Sequence, residues 1–217
     1  MQKKSPLPYF TAVLFDRDGT LIEDKHYLAD PDGVELLAGA KDLVSRFYLE
    51  KRLQFVVSNQ SGIGRGMFSH GAADACNERM VDLLEQETTP FSALLYCPHA
   101  PTDECSCRKP AIGMWEVIQK DFPVMAARTL MVGDKADDLL FAHNARLGAC
   151  ALVLTGKGKK TADTLTIALT ENEDFRLVLH EERPGYPQIL AKDCLALLKA
   201  LPLYEEKMRQ RSSHDLS

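Results

Sequence analysis

Two aspartates at the end of one apolar run are the first residues that could do chemistry. Asp16 and Asp18 lie two positions apart directly after the run FTAVLF, and Gly19 permits a turn after them. Residues i and i+2 of a strand point to the same side, so the two carboxylates would repel each other unless a cation lay between them. Asp134 ends another apolar run and supplies a third oxygen ligand. Few oxygen ligands with room for water suit magnesium, so we predict a magnesium site at Asp16, Asp18 and Asp134.

A second group of side chains carries softer ligand atoms. The segment CPHAPTDECSCRKP contains Cys97, His99, Cys105 and Cys107, as a Cys-x-His pair followed by a Cys-x-Cys pair. Four nitrogen and sulfur ligands in a compact loop are typical of tetrahedral zinc. Because the protein would fill all four positions, we expect this zinc to be structural and closed rather than catalytic.

Short apolar runs alternate with amphipathic stretches, which predicts the elements that position these residues. Strands are predicted at FTAVLF, LQFVVS, SALLY, TLMVG and ACALVL, and helices near residues 39–51, 70–86, 111–121 and 136–146. Such alternation predicts an α/β fold, a Rossmann-like parallel sheet with helices on both faces. The polar motifs DRDGT, SNQSG, CPH and GDKADD each follow an apolar run. Since ligands bind beyond the carboxyl ends of such strands, we expect these motifs to converge on one edge of the sheet.

The remaining organisation is predicted to be simple. We expect one domain over residues 1–217, with a motif-bearing core at about 10–155. Neither gap between the first motifs has room for a large cap domain, so loops should cover the site. Residues 156–204 are predicted to form a strand at FRLVLH and a packing helix at PQILAKDCLALLKAL, followed by a frayed polar tail at 205–217.

Composition and charge exclude several classes of protein. The net charge of −5 argues against a general nucleic-acid binder, and no apolar run reaches the roughly 18 residues of a membrane span. The N-terminus MQKKSPLPYF has no apolar segment after its lysines, so we expect no secretory signal, a cytoplasmic location and reduced cysteines. The oligomeric state is not encoded in any pattern, and we take a monomer as the simplest expectation.

Four motifs in order resemble those of the haloacid dehalogenase superfamily of phosphatases, over roughly residues 10 to 155. They are FDRDGT, VVSN, the lysine of CRKP, and GDKADD. The resemblance implies that Asp16 attacks phosphorus to form an aspartyl-phosphate and that Asp18 acts as general acid and then general base. It also implies that magnesium is held by Asp16, Asp134 and the Asp18 carbonyl, and that the phosphoryl oxygens are bound by Ser58, the Asn59 backbone and Lys109.

The cysteine and histidine cluster makes the chain look like the zinc-containing branch of this superfamily. That branch includes phosphatases of D-glycero-D-manno-heptose 1,7-bisphosphate and of histidinol phosphate, and SNQSGIGRG and MVGDKADD look closer to the heptose enzymes. The residues that the resemblance and the motif positions predict to contact substrate are Arg17, Asp24, Lys25, His26, Tyr27, Asn59, Gln60, Ser61, Arg65, Arg108 and Lys135.

The resulting hypothesis is a magnesium-dependent phosphomonoesterase for a small phosphorylated sugar, with the heptose bisphosphate as the first candidate. Two alternatives stay open from the sequence. One is a histidinol-phosphate phosphatase or another small phosphomonoesterase. The other is a catalytically silent binding protein on the same scaffold, which the presence of every catalytic residue type in the four motifs disfavours.

Overall fold

Seven strands form one sheet in this computed structural model, which describes residues 7–84, 89–179 and 183–214, with side chains through residue 211. The strands are β1 (Ala12–Phe15), β2 (Leu53–Asn59), β3 (Ala93–Cys97), β4 (Thr129–Gly133), β5 (Ala149–Val153), β6 (Phe175–Leu177) and β7 (Ile189–Ala191). Their order across the sheet is β3-β2-β1-β4-β5-β7-β6. All neighbouring pairs are parallel except β6, which runs antiparallel to β7 at the edge.

Helices cover both faces of the sheet. They are α1 (Ala40–Leu49), α2 (Ser61–Gly64), α3 (His70–Leu83), α4 (Gly113–Asp121), α5 (Ala136–Asn144), α6 (Gly158–Thr164) and α7 (Cys194–His214). Alternate residues of β1 enter different cores: Val13 and Phe15 pack with α1, α3 and α7, whereas Ala12 and Leu14 pack with α4, α5 and α6. A strand buried on both faces reads as a continuous apolar run, which is why the pattern predicted these strands. The predicted α/β architecture is confirmed.

The connections after the strands hold only short elements. Between β1 and α1 the chain forms a 3-10 turn at Pro31–Gly33 and a bridge from Ile22 to Leu36. In the part of the chain that the structure describes, none of these connections builds a large cap domain, as predicted. Among the same residues, no helix is both long and apolar enough to cross a membrane.

The C-terminal region differs from its prediction in two ways. The segment predicted as one packing helix begins with β7, and only the part from Cys194 is helical. All three residues of β7 are fully buried between β5 and β6, so their apolar run is that of a two-sided strand rather than of a helix. The predicted strand at FRLVLH is confirmed at Phe175–Leu177.

The predicted frayed tail is wrong for the residues that the structure describes, because α7 continues through His214. Glu205 is 3% exposed and accepts hydrogen bonds from the backbone N–H of Phe10 at 3.0 Å and from Nη1 of Arg52 at 2.6 Å. These contacts fix the polar half of the helix against the beginning of β1. Residues 215–217 of the predicted tail lie outside the described residues.

Candidate active site

Asp16 lies directly after β1, at the centre of the sheet and at its carboxyl edge. Its side chain is almost fully buried, and each carboxylate oxygen meets one ammonium group: Oδ1 is 2.9 Å from Nζ of Lys109, and Oδ2 is 2.9 Å from Nζ of Lys135. Burial acts to raise the pKa of Asp16, but the two ammonium groups outweigh it and hold that pKa well below its ordinary value. Asp16 is therefore an ionised carboxylate in a site that excludes most water.

Lys109 contacts Asp16 from the connection between β3 and α4. Its ammonium also donates to the carbonyl of Val57 at 2.7 Å and to Oδ1 of Asp138 at 2.5 Å. Its backbone is held by Asn59, whose Oδ1 accepts from Lys109 N at 2.9 Å and whose Nδ2 donates to Lys109 O at 3.0 Å. The end of β2 thus fixes the loop that carries this lysine, and the lysine points into the site without solvent around it.

A cluster of oxygen atoms surrounds Lys135, which begins the fourth motif's helix. Its Nζ lies 2.7 Å from the carbonyl oxygen of Asp18, 2.9 Å from Oδ2 of Asp16 and 3.1 Å from Oδ1 of Asp134. Burial, together with the nearby carboxylates of Asp16 and Asp138, raises the pKa of Asp134 to about 7. Oδ1 of Asp134 is buried, and beyond its ion pair with Lys135 it accepts no hydrogen bond of good geometry from any described residue.

These atoms fit a hard cation. The carboxylates of Asp16, Asp134 and Asp138 offer oxygen atoms that lie within 4.8 Å of one another. A divalent cation among them would give the buried Asp134 oxygen a partner and offset the repulsion that raises its pKa. The three predicted magnesium ligands, namely Asp16, Asp134 and the Asp18 carbonyl, therefore come together in the structure.

Gly19 makes the close approach of two loops possible. Its φ is +89°, a region that other residues rarely adopt, and a Cβ at this position would lie 2.2 Å from Oδ2 of Asp134. Any larger residue would push Asp134 away from β1. The DRDGT sequence therefore needs glycine at this position both for its turn and for the spacing of the carboxylates.

Asp18 is held beside the cluster by donors from two other residues. Arg17 donates to both carboxylate oxygens, from Nε at 3.0 Å and from Nη2 at 3.1 Å. Nε2 of Gln60 lies 2.7 Å from Asp18 Oδ2 and 2.7 Å from Ser58 Oγ, so it connects the first and second motifs. These contacts place the Asp18 carboxylate and the Ser58 hydroxyl on the same side of the site.

A small cavity of about 140 Å³ opens next to Asp18. Its lining residues are Asp18, His26, Tyr27, Leu28, Asn59, Gln60, Ser61, Gly62 and Lys157. The two consecutive residues His26 and Tyr27 have φ values of +50° and +64°, in a region that costs on the order of 1–3 kcal/mol for residues other than glycine. Strain of this kind is concentrated at ligand sites, and both residues line the cavity.

The four predicted zinc ligands also come together. Cys97 Sγ lies 3.1 Å from Cys107 Sγ, 3.7 Å from Cys105 Sγ and 3.5 Å from Nδ1 of His99. The edges of a tetrahedron around zinc are roughly 3.8 Å for thiolate ligands, so the four atoms need only a small adjustment to coordinate one ion. Burial and the neighbouring thiols raise the pKa of Cys97 to about 12, and a divalent cation would favour the thiolates instead.

Comparison with known proteins identifies the family. A family model described as HAD-hydrolase-like matches residues 106–174. The chain is 35% identical over 136 residues, 62% of this chain and 93% of the relative, to a protein of Thermoplasma volcanium named probable D-glycero-D-manno-heptose-1,7-bisphosphate 7-phosphatase. It is 36% identical to D-glycero-beta-D-manno-heptose-1,7-bisphosphate 7-phosphatase of Haemophilus ducreyi, over 74% of this chain and 94% of the relative. The chain belongs to the haloacid dehalogenase-like phosphatases.

A solved structure agrees with this assignment. The D,D-heptose 1,7-bisphosphate phosphatase of B. bronchiseptica, complexed with magnesium and phosphate, matches with a TM-score of 0.72 and 29% identity. The match covers 90% of this phosphatase and 99% of that chain. The family and the class of enzyme that the four motifs predicted are therefore confirmed.

The predicted substrate contacts of the phosphatase divide into two groups. Five of them line the cavity next to Asp18: His26, Tyr27, Asn59, Gln60 and Ser61. Two more lie at its border, because Asp24 is 3.3 Å from the ammonium of the lining residue Lys157, and Lys135 is in the carboxylate cluster.

The other four lie outside the cavity. Arg17 is 1% exposed and points away from solvent, which corrects its predicted role as a substrate contact. Lys25 pairs with Glu35 at 2.5 Å. Arg65 is exposed on the turn after α2. Arg108 is half-buried, and within the described ranges its side chain donates one long hydrogen bond of 3.4 Å to the carbonyl of His99, which leaves most of its donors available.

Two residues of the site were not predicted. One oxygen of Asp138 pairs with Lys109 and orients that lysine. The other oxygen accepts the backbone N–H of Lys135 at 3.0 Å and so caps α5. The GDKADD motif contains it but does not show which of its last two aspartates turns inward. Lys157 directly precedes α6, in the segment GKGKK, and its backbone N–H donates to Asp134 at 2.8 Å. No pattern in the sequence distinguishes it from the other lysines of that segment.

Proposed function

We propose that this phosphatase hydrolyses D-glycero-D-manno-heptose 1,7-bisphosphate through an aspartyl-phosphate on Asp16. The observation that supports the mechanism is the buried carboxylate of Asp16 with one ammonium group 2.9 Å from each of its oxygens. A buried carboxylate would otherwise take up a proton and lose its nucleophilic character. Lys109 and Lys135 keep it ionised and supply positive charge where a phosphoryl group would arrive.

The reaction has two steps. An oxygen of Asp16 attacks phosphorus while the bond from phosphorus to the sugar oxygen breaks, and protonated Asp18 gives its proton to that oxygen. Asp18, now a carboxylate, then takes a proton from water as the water oxygen attacks phosphorus, and the bond to Asp16 breaks to release phosphate. Ser58, the Asn59 backbone and Lys109 bind the phosphoryl oxygens. Magnesium held by Asp16, Asp134 and the Asp18 carbonyl would neutralise phosphoryl charge.

Two observations support a sugar bisphosphate as the substrate. The relatives from T. volcanium and H. ducreyi carry names for this substrate. The cavity next to Asp18 is lined mainly by polar side chains, and Lys157 brings positive charge to it for a second phosphate. Arg108 lies outside the cavity, directly before Lys109, with most of its donors available to an anionic group. The zinc cluster fits a structural role in the same proposal, because its loop continues directly into Arg108 and Lys109.

Side-by-side kinetics test the substrate. We expect kcat/KM for the heptose bisphosphate to exceed that for histidinol phosphate by at least about tenfold, or roughly 1.4 kcal/mol of transition-state binding. Arg108→Ala should reduce the preference, because it removes a donor for the second phosphate. Arg79→Ala, an exposed arginine of α3, is the matched control and should leave the ratio unchanged. Equal efficiencies, or a preference for histidinol phosphate, would move the assignment to the histidinol phosphatases.

A further inference from the structure

Arg17 is a buried arginine in the middle of the nucleophile motif, and its side chain does not line the cavity next to Asp18. Its side chain is 1% exposed. Nε and Nη2 bind both oxygens of Asp18, and Nη1 donates to Oδ1 of Asn77 at 2.9 Å. A buried guanidinium is stable only when it is well paired, and one carboxylate and one amide provide that pairing here.

Asn77 contributes from an element that lies outside the four motifs. It is on α3, whose buried residues Ala73, Cys76 and Met80 pack into the core. Because α3 is anchored in this way, Asn77 Oδ1 is a fixed point for the plane of the Arg17 guanidinium. That plane in turn fixes the orientation of the Asp18 carboxylate, since a two-bond contact between a guanidinium and a carboxylate is coplanar and directional.

We propose that Arg17 and Asn77 are positioning residues that orient the carboxyl group of Asp18 for proton transfer to the leaving oxygen. In the protonated form that gives this proton, one oxygen of Asp18 carries it and the other still accepts from Arg17. The proposal rests on the acid and base role of Asp18 in the proposed function. Gln60 alone could not set this orientation, because it binds only Oδ2 and is itself shared with Ser58. Lysine could not replace Arg17, since a single ammonium cannot bind two carboxylate oxygens and an amide in one plane.

The test compares two aryl phosphates with different leaving groups. Phenyl phosphate needs a proton from the enzyme to expel its poor leaving group, whereas 2,4-dinitrophenyl phosphate hardly does. For either compound, kcat/KM reports only the steps up to and including cleavage of the bond from phosphorus to the leaving oxygen. General acid catalysis contributes about 10²–10⁴-fold, so we expect misplacing the acid by Asn77→Ala to lower kcat/KM for phenyl phosphate on the order of tenfold or more. The value for 2,4-dinitrophenyl phosphate should change by less than about threefold.

Matched variants separate orientation from general damage. Asn77→Asp keeps an acceptor oxygen for Arg17 and should restore most of the activity on phenyl phosphate. Arg17→Lys should show the same leaving-group dependence as Asn77→Ala. Glu78→Gln changes the exposed neighbour on α3 and should behave as wild type on both compounds. Urea unfolding of each variant checks that the loss does not follow stability.

The Asp18→Asn variant distinguishes a failure of the positioning role from a failure of the proposed function. If Asp18→Asn shows strong leaving-group dependence while Asn77→Ala lowers both compounds equally or neither, the positioning role is wrong and the proposed function stands. If Asp18→Asn itself shows no such dependence, Asp18 is not the acid, and both the proposed mechanism and the positioning role fall with it.

Discussion

Replacing Lys135 by methionine should make the phosphatase bind magnesium more tightly in the absence of substrate. The ammonium of Lys135 lies 2.7–3.1 Å from the three oxygen atoms that fit a magnesium ion. A cation that takes these oxygens and the ammonium cannot occupy the same place. Magnesium binding therefore requires Lys135 to leave its contacts with Asp16, Asp18 and Asp134, and methionine removes that requirement while keeping the length of the side chain.

The size of the effect follows from what Lys135 gives up. A hydrogen bond to a charged group contributes about 1.5–3 kcal/mol net. The Lys135 side chain is 28% exposed and can turn to water, so we count the loss of one such bond rather than of every contact that its ammonium makes. Since 1.4 kcal/mol corresponds to a factor of ten, the dissociation constant for magnesium should fall by about tenfold or more.

Titration calorimetry with magnesium chloride and no substrate, at constant ionic strength, measures this change. Lys157→Met is the matched control, because it removes the same charge from beside the site, yet the Lys157 side chain is 55% exposed and, among the described residues, its ammonium pairs with Asp24 alone. An exposed pair contributes about 0–1 kcal/mol, so the control should shift the affinity by less than about fivefold. Equal shifts in the two variants, or no shift with Lys135→Met, would refute the reasoning.

Three further predictions concern chemistry, zinc and stability. Asp16→Asn should lower kcat by about 10³-fold or more in a phosphate-release assay with magnesium, and near-normal turnover would rule out the covalent mechanism. Cys105→Ser should lose zinc by elemental analysis and melt at a lower temperature, since structural zinc contributes folding free energy; wild-type protein purified without chelators and free of zinc would contradict this. Glu205→Ala should lower the free energy of unfolding in urea by about 1.5–3 kcal/mol, because it removes the buried partner of Arg52 and leaves that guanidinium with the partly exposed Glu50 and the Phe10 carbonyl. The exposed neighbour Glu206 gives the control, and a loss below about 1 kcal/mol for Glu205→Ala would show that the pair is not needed.

The catalytic edge was predictable because parallel strands impose a simple rule. Each buried strand appears as an apolar run, and its carboxyl end is followed by the residues that meet at the site. This rule brings Asp16, Ser58, Cys97 and Asp134 to one edge without any knowledge of their contacts. The zinc cluster was predictable for a different reason, since its four ligands lie within one short segment and need little tertiary structure to meet.

The remaining features depend on contacts between distant parts of the chain. Glu205 belongs to a polar stretch whose burial depends on Arg52, which is 153 residues away. Arginine is usually found at the surface, so the sequence did not predict that Arg17 is buried. Its contact with Asn77, on the distant helix α3, helps to explain that burial. The strand β7 was not predicted, because a short apolar run next to a helix is too short to show the periodicity of a strand. Its conformation depends on pairing with β5 and β6, between which it lies.

The charges that surround Asp16 couple the binding of metal to the binding of phosphate. The buried cluster contains three carboxylates and two ammonium groups, from Asp16, Asp134, Asp138, Lys109 and Lys135, and carries a net charge of −1 when all are ionised. A phosphate dianion is repelled by that charge. A divalent cation that displaced the Lys135 ammonium would bring the net charge of the cluster to zero and remove the repulsion. By linkage, bound phosphate must strengthen the hold on the cation by the same factor. Under the proposed function, phosphate should therefore bind better to the metal-loaded phosphatase, and departure of the product phosphate should weaken the hold on the ion.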